Sequence, residues 1–263
     1  MKRYLFLLLF PFTANAFFLL LSPSIKGWDK TDIPFQYNFS GCPQGQSGLV
    51  DLLNQAGTVW SHIPGVSLNF VTSGASVSTT VTQAWSAFQG NSDVTLVDPP
   101  VIICDTDFAN TLTTIGSVLS VSNTLGVTYV NGVNGHINRG LILINADAST
   151  TAGNTVRSYA TADLIELFVH EMGHALGLAH TNYDGSVMQD GGGQNLSIDD
   201  IDGIRYLYPR EEDFTSQMFA CGSLSISSPG GPSAPGGAFI FSLYGLCFLW
   251  FWRRNSKSLL NRS

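Results

Sequence analysis

Three observations along the 263-residue chain predict an α+β fold. Strand-period alternation recurs up to about residue 145, helical period takes over from about residue 161, and a short capped helix closes the pattern before Pro209. The length suffices for one large domain with a full core plus appendages.

Taken in order, Met1-Lys2-Arg3, the apolar residues 4–12 and Ala14-Asn15-Ala16 form the three parts of a secretory signal peptide, with cleavage expected after Ala16. Residues 17–24 are an apolar lead-in. Residues 28–39 place Ile33, Phe35, Tyr37 and Phe39 on one side, as a strand does. After a glycine-broken stretch at 41–48, Leu49, Leu52, Leu53, Ala56, Val59 and Trp60 keep helical period up to Pro64, and 66–71 alternates again. Residues 72–92 read as loop with a short helical piece at 84–88. Short strands are expected at 93–97 and 101–104, on either side of Asp98-Pro99-Pro100, and a Thr- and Ser-rich segment follows. Strands at 127–130 and 141–145 are joined through Asn131-Gly132-Val133-Asn134-Gly135, a tract of turn residues. Thr161 or Ser158 can cap the next helix, whose apolar face is Leu164, Leu167, Phe168, Met172 and Leu176. Beyond Gly191-Gly192-Gly193, Ser197 caps a last helix that Pro209 stops.

All 19 acidic residues but only six of the 12 basic ones lie between 17 and 237, so that region carries a net charge of −13. Such acidity argues against nucleic acid as a partner and is compatible with bound calcium, although a solvated acidic surface accounts for it as well. Cys42 and Cys104 are the pair expected to bridge in an oxidising compartment, with pairing of either to Cys221 left open; no cysteine has metal-ligand spacing.

Residues 170–180 read His-Glu-Met-Gly-His-Ala-Leu-Gly-Leu-Ala-His and hold three of the five histidines. On a helix, His170 and His174 share a face and can bind one cation at about 2.0–2.1 Å, while Glu171 lies beside the ion without binding it. A left-handed Gly177 can turn the chain and return His180 as third ligand. Three neutral nitrogens leave a fourth position for water, which zinc acidifies to a pKa of about 7, and Glu171 can take its proton as hydroxide attacks a carbonyl. A buried amphipathic helix with internally bonded histidines explains one such residue better than three at this spacing.

The pattern H-E-x-x-H-x-x-G-x-x-H followed by Ser186-Val187-Met188 resembles the metzincin metallopeptidases, and Leu196-Ser197-Ile198-Asp199-Asp200-Ile201 with Leu207-Tyr208 resembles their matrixin group. The likeness spans roughly 25–209 and is specific in 170–208. It implies a twisted mixed sheet of about five strands with three helices, one catalytic zinc on His170, His174 and His180, Glu171 as general base, and Met188 as a hydrophobic floor. It also implies that 141–145 is the edge strand beside the cleft, open to an extended peptide. The chain departs from the group in three ways. No Pro-Arg-Cys-Gly segment is present, so latency by a cysteine switch is not expected. Only His62 and His136 remain for a second zinc, and no hemopexin-like repeat is present.

The expected domain therefore covers 17–211. A Gly/Ser/Pro-rich linker follows at 212–237, then an apolar run at 238–252 and a basic tail at 253–263. Fifteen apolar residues with Arg253-Arg254 behind them suit a marginal single span, and the order resembles bacterial Gly-Gly-type sorting signals removed by a membrane protease. The reading is an exported, at least transiently membrane-tethered monomeric zinc endopeptidase acting on protein or peptide. A catalytically weak surface binding or adhesion module is the alternative, which the intact Glu171 disfavours.

Overall fold

The computed structural model describes residues 17–71, 76–151, 154–193 and 195–210. The expected signal peptide, linker, apolar run and basic tail lie outside the described residues, as do Cys221 and Cys247. Among the described residues no helix is long and apolar enough to cross a membrane. The strands are β1 (Lys26–Trp28), β2 (Asp32–Pro34), β3 (Gln36–Asn38), β4 (Asn69–Val71), β5 (Val101–Asp105), β6 (Gly126–Val133) and β7 (His136–Asn145). The α-helices are α1 (Gln46–Ser61), α2 (Val81–Phe88), α3 (Phe108–Thr114), α4 (Ile165–Ala175) and α5 (Ile198–Leu207).

Five strands form one mixed sheet in which β7 is central: β5 and β1 run parallel to it, β3 continues beyond β5, and β6 pairs antiparallel with it. The apolar runs of β5 and β7 divide by alternation. Ile102, Cys104, Ile142 and Ile144 face the core with α1 and α4, and Val101, Ile103, Leu141 and Leu143 face the core with Ala84, Ala87, Phe108 and Leu112. Burial on both faces explains why these strands read as continuous apolar runs. The Cys42–Cys104 disulfide is formed, with Cα atoms 5.5 Å apart, and fastens the segment after β3 to β5.

Several expectations are corrected. The strand expected at 141–145 is interior, because its two edges are taken by β5 and β6; the free edge belongs to β6. Residues 28–39 are three short strands in two sheets, with Pro34 unable to donate where β2 ends, and β2 pairs only with β4. The strand expected at 66–71 is confined to β4. Residues 93–97 form a 3-10 turn, since the Asp93 carboxylate accepts from the Thr95 amide at 3.0 Å and hydroxyl at 2.8 Å and offers the backbone a local alternative. The tract at 131–135 is mostly strand, and only Asn134-Gly135, with φ of 54° and 86°, makes the hairpin turn. Among the described residues five helices stand where three were expected: α2, which a Thr80–Gln83 capping box starts ahead of the short helical piece expected at 84–88, and α3, in a segment whose Thr and Ser content concealed it. Neither Thr161 nor Ser158 caps α4, which continues directly from a 3-10 turn at Thr161–Leu164.

Candidate metal centre

Helix α4 carries His170, Glu171 and His174, and its end is built from distant parts of the chain. A helix leaves its last carbonyls without partners. Here the Trp28 indole donates to Ala175 O at 2.9 Å and the Tyr208 hydroxyl to Leu176 O at 3.0 Å. Gly177, at φ 110°, then turns the chain: the Gly177 amide donates to His174 O at 2.9 Å and the Leu178 amide to Gly173 O at 3.0 Å, a Schellman closure. The lead-in pairs with this turn, Leu20 N donating to Gly177 O and Ala179 N to Phe18 O, each at 3.0 Å. His180 is thereby returned toward α4. Tyr208→Phe keeps the ring but strands the Leu176 carbonyl, and the Trp28 amide that donates to the same hydroxyl. It is expected to cost about 1–3 kcal/mol, read as a lower denaturant midpoint at unchanged slope.

The three histidines converge. The Nε2 of His170 lies 3.0 Å from that of His174 and 3.2 Å from that of His180. His170 Nδ1 donates to Val187 O at 2.6 Å and His174 Nδ1 to Leu178 O at 2.8 Å, which leaves both Nε2 atoms as lone-pair acceptors. Facing lone pairs at this distance repel unless a cation lies among them. Tetrahedral zinc with bonds of about 2.0–2.1 Å sets its ligand nitrogens about 3.3 Å apart, so the donor set and spacing fit that ion. His170 and His174 are buried and His180 is exposed, which leaves one open side.

Burial, reinforced by His170 and His180, pushes His174 down to about 3, and burial also lowers His170 and His180. The cluster is neutral and ligand-ready at neutral pH. A group depressed on folding contributes stability that is present above its unfolded pKa of about 6.5 and lost as pH falls toward the folded value, by about 1.4 kcal/mol per pH unit for one such histidine. Glu171 acts in the opposite sense. Burial raises it to about 7, against the Thr128 hydrogen bond and His180, so its contribution grows as pH falls from 7 toward 4.5. The melting temperature of metal-free protein is therefore expected to fall from pH 6.5 to 4.5, and to fall more steeply in Glu171→Gln. Equal slopes would contradict this assignment.

Met188 is buried, and a Cβ on Gly173 would run into its Sδ and into Trp60 Cζ2, which places the thioether against α4 one residue from His174. The loop that carries it is fixed by Asp200. This buried carboxyl accepts from the Ser186 hydroxyl at 2.7 Å and from the Ser197 amide at 2.7 Å, and Ser186 Oγ in turn accepts from the Met188 amide at 3.0 Å. The cap expected at Ser197 is present as a capping box with Asp200. The cap was legible in the sequence; its pairing with Asp200 and the reach of Asp200 to Ser186 were not.

Glu171 is 4 % exposed, and its Oε2 accepts from the Thr128 hydroxyl of β6 at 2.6 Å. Reading the sequence did not single out Thr128, which looks like one more residue of an alternating strand. Neither His62 nor His136 joins the cluster, the one potential metal-binding group among the described residues.

Residues 116–209 match the family described as Matrixin. No curated relative matches the chain. The matched segment runs from β6 through α5 and contains the whole histidine cluster. The α+β fold, with its mixed sheet of five strands, is consistent with the metzincin fold that the motif implied, and the match and the cluster together support a zinc metallopeptidase.

Proposed function

We propose that the chain is a zinc-dependent endopeptidase, exported and at least transiently held at the membrane by its C-terminal apolar segment. The observation that carries the peptidase reading is the convergence of three imidazoles, His170 Nε2 lying 3.0 Å from that of His174 and 3.2 Å from that of His180 with all three ligand atoms within 4.8 Å of one another, and two Nδ1 protons committed to backbone carbonyls. His170, His174 and His180 would hold the ion. Bound zinc would supply Lewis acidity, making water deprotonable near neutral pH and polarising the scissile carbonyl.

The remaining work belongs to side chains and backbone of this chain. Glu171 accepts the proton of the attacking water and returns it to the leaving amine, a role suited to a buried carboxyl raised to about 7. Met188 and Trp60 pack under the ligand helix and keep His174 in place. The eight residues of β6 present an edge of about 25 Å with no described strand paired to its outer side, room for an extended chain to lie across the site. Accommodation along a strand, without a required terminus, supports internal cleavage. The acidity of residues 17–237 leaves calcium as a second candidate ion, and the signal-peptide pattern supports export.

The reading is tested by hydrolysis of an unfolded protein such as casein by the full chain, with and without a zinc chelator, and again after zinc is restored. Cleavage that is lost on chelation and regained with zinc is the expected result. A folded, zinc-loaded chain inert toward casein and toward a broad peptide library would sink the peptidase reading and favour a binding module.

A further inference from the structure

We infer that Thr128 is the positioning residue for the Glu171 carboxylate, and that it acts from the same strand that offers its backbone to a peptide. This rests on the peptidase reading above, but its geometry stands alone. Gly126 and Thr128 lie two apart on β6 and so face the same side, toward α4. The Thr128 hydroxyl is 2.6 Å from Glu171 Oε2, the one side-chain donor to this carboxylate among the described residues. Opposite it, a Cβ on Gly126 would stand 2.7 Å from Oε1 and 3.0 Å from Cδ. A strand contact without a side chain on one flank and a hydroxyl on the other form a slot the width of the carboxyl group. The terminal torsion of a glutamate is otherwise broad. Thr128 therefore selects which oxygen is engaged and which is left for the reaction.

The ladder phase connects this slot to the open edge. The Asn145 amide donates to Leu125 O at 2.8 Å, whereas the Gly140 and Ala146 amides donate away from β6, to Val97 O and Asp105 O. Residues 125, 127 and 129 are thus bonded to β7, and Gly126, Thr128 and Val130, opposite Ile144, Ile142 and Gly140, turn their N–H and C=O groups outward. A peptide pairing with β6 would take its bonds from the two residues that hold Glu171, so seating the substrate and aiming the base are one event.

The test compares the zinc-loaded full chain with Thr128→Val, Thr128→Ala and Thr128→Ser. Outer-shell partners of this kind are typically worth about 10–100-fold. Thr128→Val and Thr128→Ala are expected to lose about that much kcat with KM within twofold and zinc affinity unchanged, while Thr128→Ser stays within about threefold of the parent. A second readout needs no activity. The chain has four glutamates, so carbon-13 at the glutamate δ position gives few NMR signals, and Glu171 is assigned by its loss in Glu171→Gln. That signal is expected to shift in Thr128→Val and Thr128→Ala and to stay near its original position in Thr128→Ser. An unmoved signal, kcat retained within threefold, or a loss confined to KM would each overturn the assignment. Should the parent chain cleave no peptide, the peptidase reading fails and the carbon signal still decides what Thr128 does.

Discussion

Glu171→Gln is expected to lower kcat/KM by about 10²–10⁴-fold, some 3–5 kcal/mol of transition-state stabilisation, with zinc content unchanged. The amide matches the carboxylate in shape, and its oxygen can still accept from the Thr128 hydroxyl that lies 2.6 Å from Oε2. The slot between Gly126 and Thr128 is retained. What disappears is a group able to take and return a proton. Glu171 is not among the three converging donors, so metal binding is not expected to change. Because burial keeps the carboxyl in its protonated form up to about 7, the substitution also removes a group that is expensive to ionise in the fold. The metal-free variant is therefore expected to melt at or above the parent's temperature near pH 8. Steady-state kinetics on an unfolded substrate, with zinc quantified in the same sample, decides the matter. Retention of kcat/KM within tenfold would remove Glu171 from the proposed chemistry.

The convergence of His170, His174 and His180 was legible in the sequence because its information is local. Residues four apart on a helix share a face whatever surrounds them, and Gly177 announces the turn by needing a conformation other residues avoid. The cap at Ser197 was readable for the same reason. The contacts that set the orientation of the cluster come from elsewhere in the chain and carry no local signature. Trp28 and Tyr208 reach the end of α4 across separations of 147 and 32 residues, and Thr128 reaches Glu171 across 43. The placement of the open edge failed for a related reason. Strand order depends on which strands pair with each edge of β7, and the apolar run Leu141-Ile142-Leu143-Ile144 reports cover on its two faces, not pairing at its edges.

His174→Ala is expected to abolish stoichiometric zinc binding and, with it, hydrolysis. Two of the proposed ligands remain, His170 buried and His180 exposed, and loss of a direct ligand exceeds the 10–100-fold cost typical of outer-shell changes. Zinc stabilises whatever state binds it, by about 4 kcal/mol at a thousandfold excess over Kd, so adding zinc is expected to raise the melting temperature of the parent chain and leave that of the variant unmoved. Metal-free protein gives the complementary result. There the parent holds facing Nε2 lone pairs 3.0 Å apart and a buried imidazole pushed down to about 3, both of which the variant lacks. Truncation leaves a cavity, so the variant starts less stable near pH 8. Its stability is nevertheless expected to fall less steeply than the parent's as pH drops from 6.5 to 4.5, because one depressed histidine no longer has to be protonated on unfolding. A zinc-loaded His174→Ala with parental affinity would show that the ion sits elsewhere. Parallel pH profiles would show instead that the imidazole is not desolvated in solution.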